Sequence, residues 1–157
     1  AKVIDTRKTT PGFRFFEKWA VVIGGGSNHR FGLYDMIMLK DNHIDFAGGI
    51  IEALDATHAY LKKTKKKLAI EVETRTLNDV KLILNKGGFQ RIMLDNYTIA
   101  DTKKAVALIG NKFEIESSGG ITEKTIASYA KCGVDFISVG ALTHHVKSMD
   151  LSLKAIK

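Results

Sequence analysis

The chain has 157 residues, enough for one domain with a sizeable buried core. Its 45% hydrophobic and 26% charged residues are globular proportions and exclude a disordered chain. No segment approaches the ~20 apolar residues of a membrane helix, the charged first residues predict no signal peptide, and the single cysteine, Cys132, excludes an internal disulfide framework and fits a reducing cytoplasm.

The first apolar stretch, VID at 3–5, runs into DTRKTTPGFR (5–14), which carries an acid, the adjacent cations Arg7 and Lys8, three hydroxyls and the only proline. FRFFEKWAVVI (13–23) reads as a helix whose aromatics at 13, 15, 16 and 19 suit packing better than ligand binding. GGGSNHR (24–30) is a glycine loop ending in His29 and Arg30. MIMLK (36–40) is a strand, followed by the helical stretch AGGIIEALDATHAYL (47–61). LAIEVE (68–73) precedes TLNDVKLILNKG (76–87), with Thr76 as the expected N-cap and Gly87 as the stop. RIMLD (91–95) precedes TIADTKKAVALIG (98–110), and FEIES (113–117) precedes TEKTIASYAKCG (122–133). FISVG (136–140) closes a series of six strands.

Strands and helices alternating at ~25-residue spacing predict βαβ units and parallel strands. A doubly wound dinucleotide fold needs a glycine-rich turn after its first strand. TRKTTPG lacks that fingerprint. Polar clusters instead end strand after strand: Arg7-Lys8, Lys40 to His43, Glu71 and Glu73, Asp95-Asn96, Ser117 to Gly120, and Gly140 to His144. That is the habit of a parallel β/α barrel with its site at the C-terminal mouth. Six strands are too few for an eight-stranded barrel, so a TIM-like, incomplete barrel is expected over residues 1–157.

Glu71 and Glu73 lie two apart on a strand and share a face. With Asp95 at a similar height, they could hold a divalent cation, accept bonds from sugar hydroxyls, or pair with Lys8 or Lys40. SSGG (117–120) and SVGALTH (138–144) end the last two strands, where small residues let backbone N–H groups approach a phosphate. His29 is either structural or, beside Arg30 and Lys40, part of an anion pocket. Arg7, Lys8, Arg30 and Lys40 crowd one mouth, which implies a ligand with several negative charges. The +7 net charge raises a nucleic-acid reading, but KKTKKK (62–67) supplies five of those charges. Those lysines suit the negative end of a helix, no aromatics interleave with them, and no nucleic-acid partner is expected.

DTRKTTPG, GGGSNHRFGLYDMIMLKDNHI, EVET, IMLDN, ESSGGI and ISVGALTHHVKSMDLSL stand in the order and spacing of one family. On these motifs the chain closely resembles, from end to end, the quinolinate phosphoribosyltransferases, also called nicotinate-nucleotide pyrophosphorylases. The resemblance implies a seven-stranded family barrel and a reaction joining quinolinate to phosphoribosyl pyrophosphate, giving nicotinate mononucleotide, CO2 and pyrophosphate for NAD synthesis. It implies that Arg7, His29, Arg30 and Lys40 hold the quinolinate carboxylates and that Lys8 lies between pyridine and phosphoribosyl donor. Glu73 and Asp95 would address the ribose hydroxyls and Mg²⁺, and with Lys8 form the catalytic set. Ser118, Gly119, Gly140 and His144 would bind the 5′-phosphate; Thr6, Ser117, Ser138 and Val139 complete the substrate-binding set. The family is also expected to form a homo-oligomer, with an N-terminal domain that covers the neighbour's site and donates an arginine. This chain carries neither, so a binding-competent but inactive piece is an alternative reading. Others are a related phosphate-binding barrel of different specificity and a Schiff-base lyase using Lys8 or Lys40; a related molybdenum-transport protein shares some of these motifs.

Overall fold

A computed structural model describes residues 1–147 and 149–156. Six strands form one parallel sheet: β1 (Lys2–Ile4), β2 (Met36–Leu39), β3 (Ala69–Thr74), β4 (Arg91–Asp95), β5 (Glu114–Ser118) and β6 (Phe136–Ser138). Their order is β1-β6-β5-β4-β3-β2, so the first two strands in sequence are the two ends of the sheet. Between those ends lies the segment carrying Ser27, which makes a single parallel bridge to Ile4. The sheet is curled: Met38, Glu73, Met93, Glu116 and Ser138, each from a different strand, line one cavity with Thr6 and His29. The expected incomplete barrel is therefore present, with an irregular segment where a further strand would stand.

The connections are α1 (Arg14–Ile23), α2 (Asp41–Ala47), α3 (Ile50–Thr64), α4 (Leu77–Lys86), α5 (Ile99–Ile109) and α6 (Ile126–Ala130), with a short 3₁₀ turn at Gly140–Leu142. Alternation along the strands separates two environments. Ile70, Val72, Ile92, Leu94, Ile115 and Ile137 belong to the apolar core between sheet and helices, whereas the intervening positions carry the polar and sulfur-bearing groups of the interior. Thr76 caps α4 as expected: its hydroxyl accepts the Asp79 N–H at 3.1 Å, and Asp79 returns a bond to the Thr76 N–H at 2.9 Å.

Two expectations change. AGGIIEALDATHAYL is not one helix: α2 ends at Ala47 and α3 begins at Ile50, because Gly48 turns left-handed at φ 89° and closes α2. The aromatics of α1 pack chiefly on one another, with Phe15 against Phe16 at 5.4 Å and against Trp19 at 6.1 Å. Phe13, Phe15, Phe16 and Trp19 remain exposed, since the face of α1 turned inward carries Lys18 and Val21. No helix among the described residues is long and apolar enough to cross a membrane.

Candidate active site

Where β1 ends, the chain delivers Thr6, Arg7 and Lys8 to a cavity of about 140 Å³. The segment after Ser27 adds His29 and Arg30, and the end of β2 adds Lys40. Glu73 from β3, Asp95 from β4, Ser118 from β5 and Ser138 from β6 complete the wall. Ten of the residues expected at the site thus share one cavity. Residues that are distant in sequence meet here because parallel strands all present their C-terminal ends on one side.

The cations are crowded and incompletely satisfied. Arg30 donates through Nη1 to the Met36 carbonyl at 3.0 Å. Burial, and then the nearby charge of Arg7, lower its guanidinium pKa. Arg7 Nε is buried with no partner in the protein. A buried charged donor left unpaired is costly, and an anion in the cavity would satisfy it.

Two carboxylates share the cavity with these cations. Glu73 accepts the Asp41 N–H at 3.3 Å. Burial first, then the charge of Asp95, raise its pKa. Two hard oxygen donors that repel one another fit a divalent cation such as Mg²⁺. Asp95 is bound by Asn96, whose Nδ2 donates to its Oδ2 at 2.7 Å.

The glycine rim sits against this pair. Asn96 N–H donates to the Ser118 carbonyl at 2.9 Å. Gly119, at φ +90°, lies so close that a Cβ there would come within 2.8 Å of the Asn96 nitrogen. Gly140 is equally enclosed, with a Cβ there 2.6 Å from His144 Nε2 and 3.7 Å from Lys8 Cδ. Lys8, Gly140 and His144 are therefore neighbours on the rim. Gly119, Gly140 and His144 stand beside the cavity and outside its lining, and Ser117 and Val139 do not line it either, each alternating with a residue that does, Ser118 and Ser138. Among the described residues no helix N-terminus backs either glycine loop: α6 starts at Ile126, and only the 3₁₀ turn follows β6.

Below the cations the floor is a buried cluster that sequence reading resolved only in part. His29 Nε2 lies 3.0 Å from Glu71 and 3.4 Å from Glu116, with both carboxylates fully buried. Glu71 thus pairs with His29, not with Lys8 or Lys40. Burial and the charge of Glu116 push the Glu71 carboxyl up to about 7. Burial disfavours charge on His29, but the adjacent carboxylates of Glu116 and Glu71 outweigh it and raise the imidazole to about 9. The Arg30 N–H, aimed at Nδ1 at 2.6 Å, is accepted only by the neutral ring with its proton on Nε2, because an imidazolium carries hydrogens on both nitrogens and gives this bond up. Protonated or neutral, the ring carries a hydrogen on Nε2, so this His-Glu-Glu group does not suit a metal ion. Nδ1 faces the Arg30 N–H, and Nε2 stands at ion-pair distance from both carboxylates without the geometry of a hydrogen bond. Glu116 was not among the expected residues; its two-residue offset from Ser118 on one strand face is the signal that points to it. Lys18, buried in α1, had no such signal.

Comparisons with known proteins bear on the chain as a whole. The family profile for the quinolinate phosphoribosyl transferase C-terminal domain covers residues 1–154. The chain belongs to that family. As a quinolinate phosphoribosyl transferase C-terminal domain, it is 48% identical over 168 aligned residues to the chloroplastic nicotinate-nucleotide pyrophosphorylase [carboxylating] of Arabidopsis thaliana, covering 98% of this chain and 48% of that protein. The probable nicotinate-nucleotide pyrophosphorylase of Bacillus subtilis is 43% identical, covering 97% of this chain and 51% of that one. The crystal structure of NadC from Streptococcus pyogenes superposes with a TM-score of 0.89 at 44% identity, across 98% of this chain and 53% of that chain. The chain spans about half the length of the curated relatives it matches.

Proposed function

We propose that the cavity binds quinolinate and phosphoribosyl pyrophosphate and carries the chemistry of a quinolinate phosphoribosyltransferase, forming nicotinate mononucleotide, CO2 and pyrophosphate. The observation that carries this reading is the crowding of Arg7, Lys8, Arg30 and Lys40 around one cavity, with a buried Arg7 donor unpaired. A dicarboxylate answers that arrangement, since each carboxylate can take charge-assisted bonds from a guanidinium or an ammonium. His29 contributes from beneath, its neutral ring accepting the Arg30 N–H at Nδ1. Thr6 and Ser138 supply hydroxyls to the same wall.

Glu73 and Asp95 line the same cavity and would receive the ribose hydroxyls. They would also hold Mg²⁺, directly or through water, and that ion would neutralise charge on the departing pyrophosphate. Ser118, Gly119, Gly140 and His144 form the rim suited to the 5′-phosphate. Lys8 lies between the two halves, joined to the phosphate side through the Thr143 hydroxyl, which donates to its carbonyl.

The chemistry then depends on placement. Pyrophosphate leaves the anomeric carbon, and positive charge develops on the ribose next to the Glu73 and Asp95 carboxylates. The pyridine nitrogen, oriented by its two gripped carboxylates, attacks that carbon from a fixed distance. The nitrogen becomes cationic, so the adjacent carboxylate can leave as CO2 with its electron pair drawn toward the ring. A proton completes the product.

A second reading is binding without turnover. It is favoured by the chain spanning about half the length of its relatives and by the exposed aromatic face of α1. Calorimetry with quinolinate, alongside nicotinate mononucleotide formation with both substrates and Mg²⁺, separates the two. Binding with turnover supports the enzyme reading, binding alone supports the second, and no quinolinate binding overturns both.

A further inference from the structure

The segment that presents His29 and Arg30 occupies the place of a strand without making a strand's bonds. Ser27 exchanges ladder bonds with β1, its N–H donating to the Val3 carbonyl at 2.9 Å and its carbonyl accepting from Asp5 N–H at 3.2 Å. Beyond Ser27 the ladder stops. Both backbone groups of His29 are taken instead by one buried ion pair: its N–H donates to Asp5 Oδ1 at 2.8 Å, and its carbonyl accepts from Lys18 Nζ at 3.0 Å. Lys18 and Asp5 contact each other at 2.5 Å and are 2% and 0% exposed. Asn28 Nδ2 donates to the second Asp5 oxygen and, at 2.9 Å, to the Lys18 carbonyl.

We infer that Lys18 and Asp5 are positioning residues for ligand binding: their ion pair replaces the missing ladder and fixes the segment that aims His29 and Arg30 into the cavity. Taking both charges out of water is expensive, and an apolar pair of similar shape commonly does as well or better for stability. What an apolar pair cannot supply is a donor for one face of His29 and an acceptor for the other. Lys18 brings its donor from α1, and Asp5 its acceptor from the end of β1. The peptide between them is held from both sides, and Arg30 follows directly. Arg14, one helical turn before Lys18, works alongside through bonds to Thr9 Oγ1 at 3.2 Å and the Phe31 carbonyl at 3.2 Å. No ligand contact is assigned to Lys18 or Asp5.

This inference rests on the quinolinate-binding reading of the cavity, so its test carries two independent readouts. Lys18→Met leaves Asp5 buried without its partner and is expected to be strongly destabilised. The double variant Asp5→Asn/Lys18→Met removes both charges and keeps the measurement possible. In the double variant, quinolinate affinity measured by calorimetry is expected to fall at least tenfold. Affinity for phosphoribosyl pyrophosphate with Mg²⁺ should change less than twofold, with thermal stability near that of the parent. Lys18→Arg should recover part of the quinolinate affinity. Quinolinate affinity within twofold of the parent, or an equal loss for both ligands, overturns the inference. The second readout is the ring ¹⁵N signals of His29, which must shift in the double variant if the peptide is released. If the parent binds no quinolinate, the function reading falls, and unchanged His29 signals would still overturn the positioning role by themselves.

Discussion

The Thr143 hydroxyl donates to the Lys8 carbonyl at 2.9 Å, joining residues 135 positions apart in sequence. Thr143 is fully buried, and its N–H donates to the Gly140 carbonyl at 3.0 Å. One side chain therefore ties the loop after β1 to the loop after β6, which are neighbours in the sheet. Thr143→Val keeps the shape and removes the hydroxyl, leaving the Lys8 carbonyl short of a donor. A loss of about 1 kcal/mol in folding stability is expected, read from urea denaturation midpoints. Affinity for phosphoribosyl pyrophosphate should fall several-fold with it, because Lys8 and Gly140 are no longer held in register.

Gly119 gives a sharper test of the phosphate rim. Its φ of +90° is a left-handed conformation, and an added Cβ would press on the backbone nitrogen of Asn96. Backbone cannot yield as a flexible side-chain end can, so Gly119→Ala is strained both in conformation and in contact. Expected outcomes are a destabilisation of about 1–3 kcal/mol and loss of phosphate affinity in calorimetry. Quinolinate affinity should be less affected, since Arg7 and Arg30 line the cavity and Gly119 does not. An alanine variant that binds phosphate as the parent does would remove Gly119 from the rim.

How far the sequence revealed this arrangement differs from residue to residue. Alternation made the strands legible, and RIMLD coincides with β4 residue for residue. The cations at the strand ends were legible because an arginine or lysine directly after an apolar run has nowhere to go but the rim. Glu71 showed its face but not its partner, because pairing across a barrel depends on curvature that no local pattern encodes. Lys18 was the hardest. In a helix of otherwise exposed aromatics, a lysine suggests solvent, yet here it points inward because Asp5 waits at the end of β1. Periodicity reports amphipathic faces, and a buried ion pair inverts the usual sign of that signal.

Arg30 carries the prediction about the dicarboxylate. It is half-buried, its Nη1 engages the Met36 carbonyl, and Arg7 is close enough to lower its pKa. Arg30→Ala should weaken quinolinate binding by about 2–3 kcal/mol, the scale of a charge-assisted bond. Arg30→Lys should recover only part of this, because an ammonium cannot reproduce the planar fork. Titrations of both variants with quinolinate check it, and affinity equal to the parent's would remove Arg30 from the ligand.

The buried His29, Glu71 and Glu116 cluster predicts how stability follows pH. Glu71 has its carboxyl raised from 4.5 to about 7, so its favourable state in the fold is the protonated one. Its contribution is complete below about 4.5 and is lost as pH rises through about 7. His29 is raised from 6.5 to about 9, so its contribution is complete below about 6.5 and lost as pH rises through about 9. Glu116 shifts the other way, held down by the adjacent His29 against the cost of burial, so it stabilises above its ordinary range and loses this on acidification. On the alkaline side Glu71 and His29 act in the same direction, and the melting temperature should fall steadily between pH 6 and pH 9. Glu71→Gln removes a titrating group while keeping the shape, so its melting curve should be flatter from pH 5 to 7 and still decline above that. His29→Gln should flatten the upper part instead. Differential scanning calorimetry across this range checks both, and a parent profile that rises from pH 6 to 9 would mean that the proton is not held where the geometry places it.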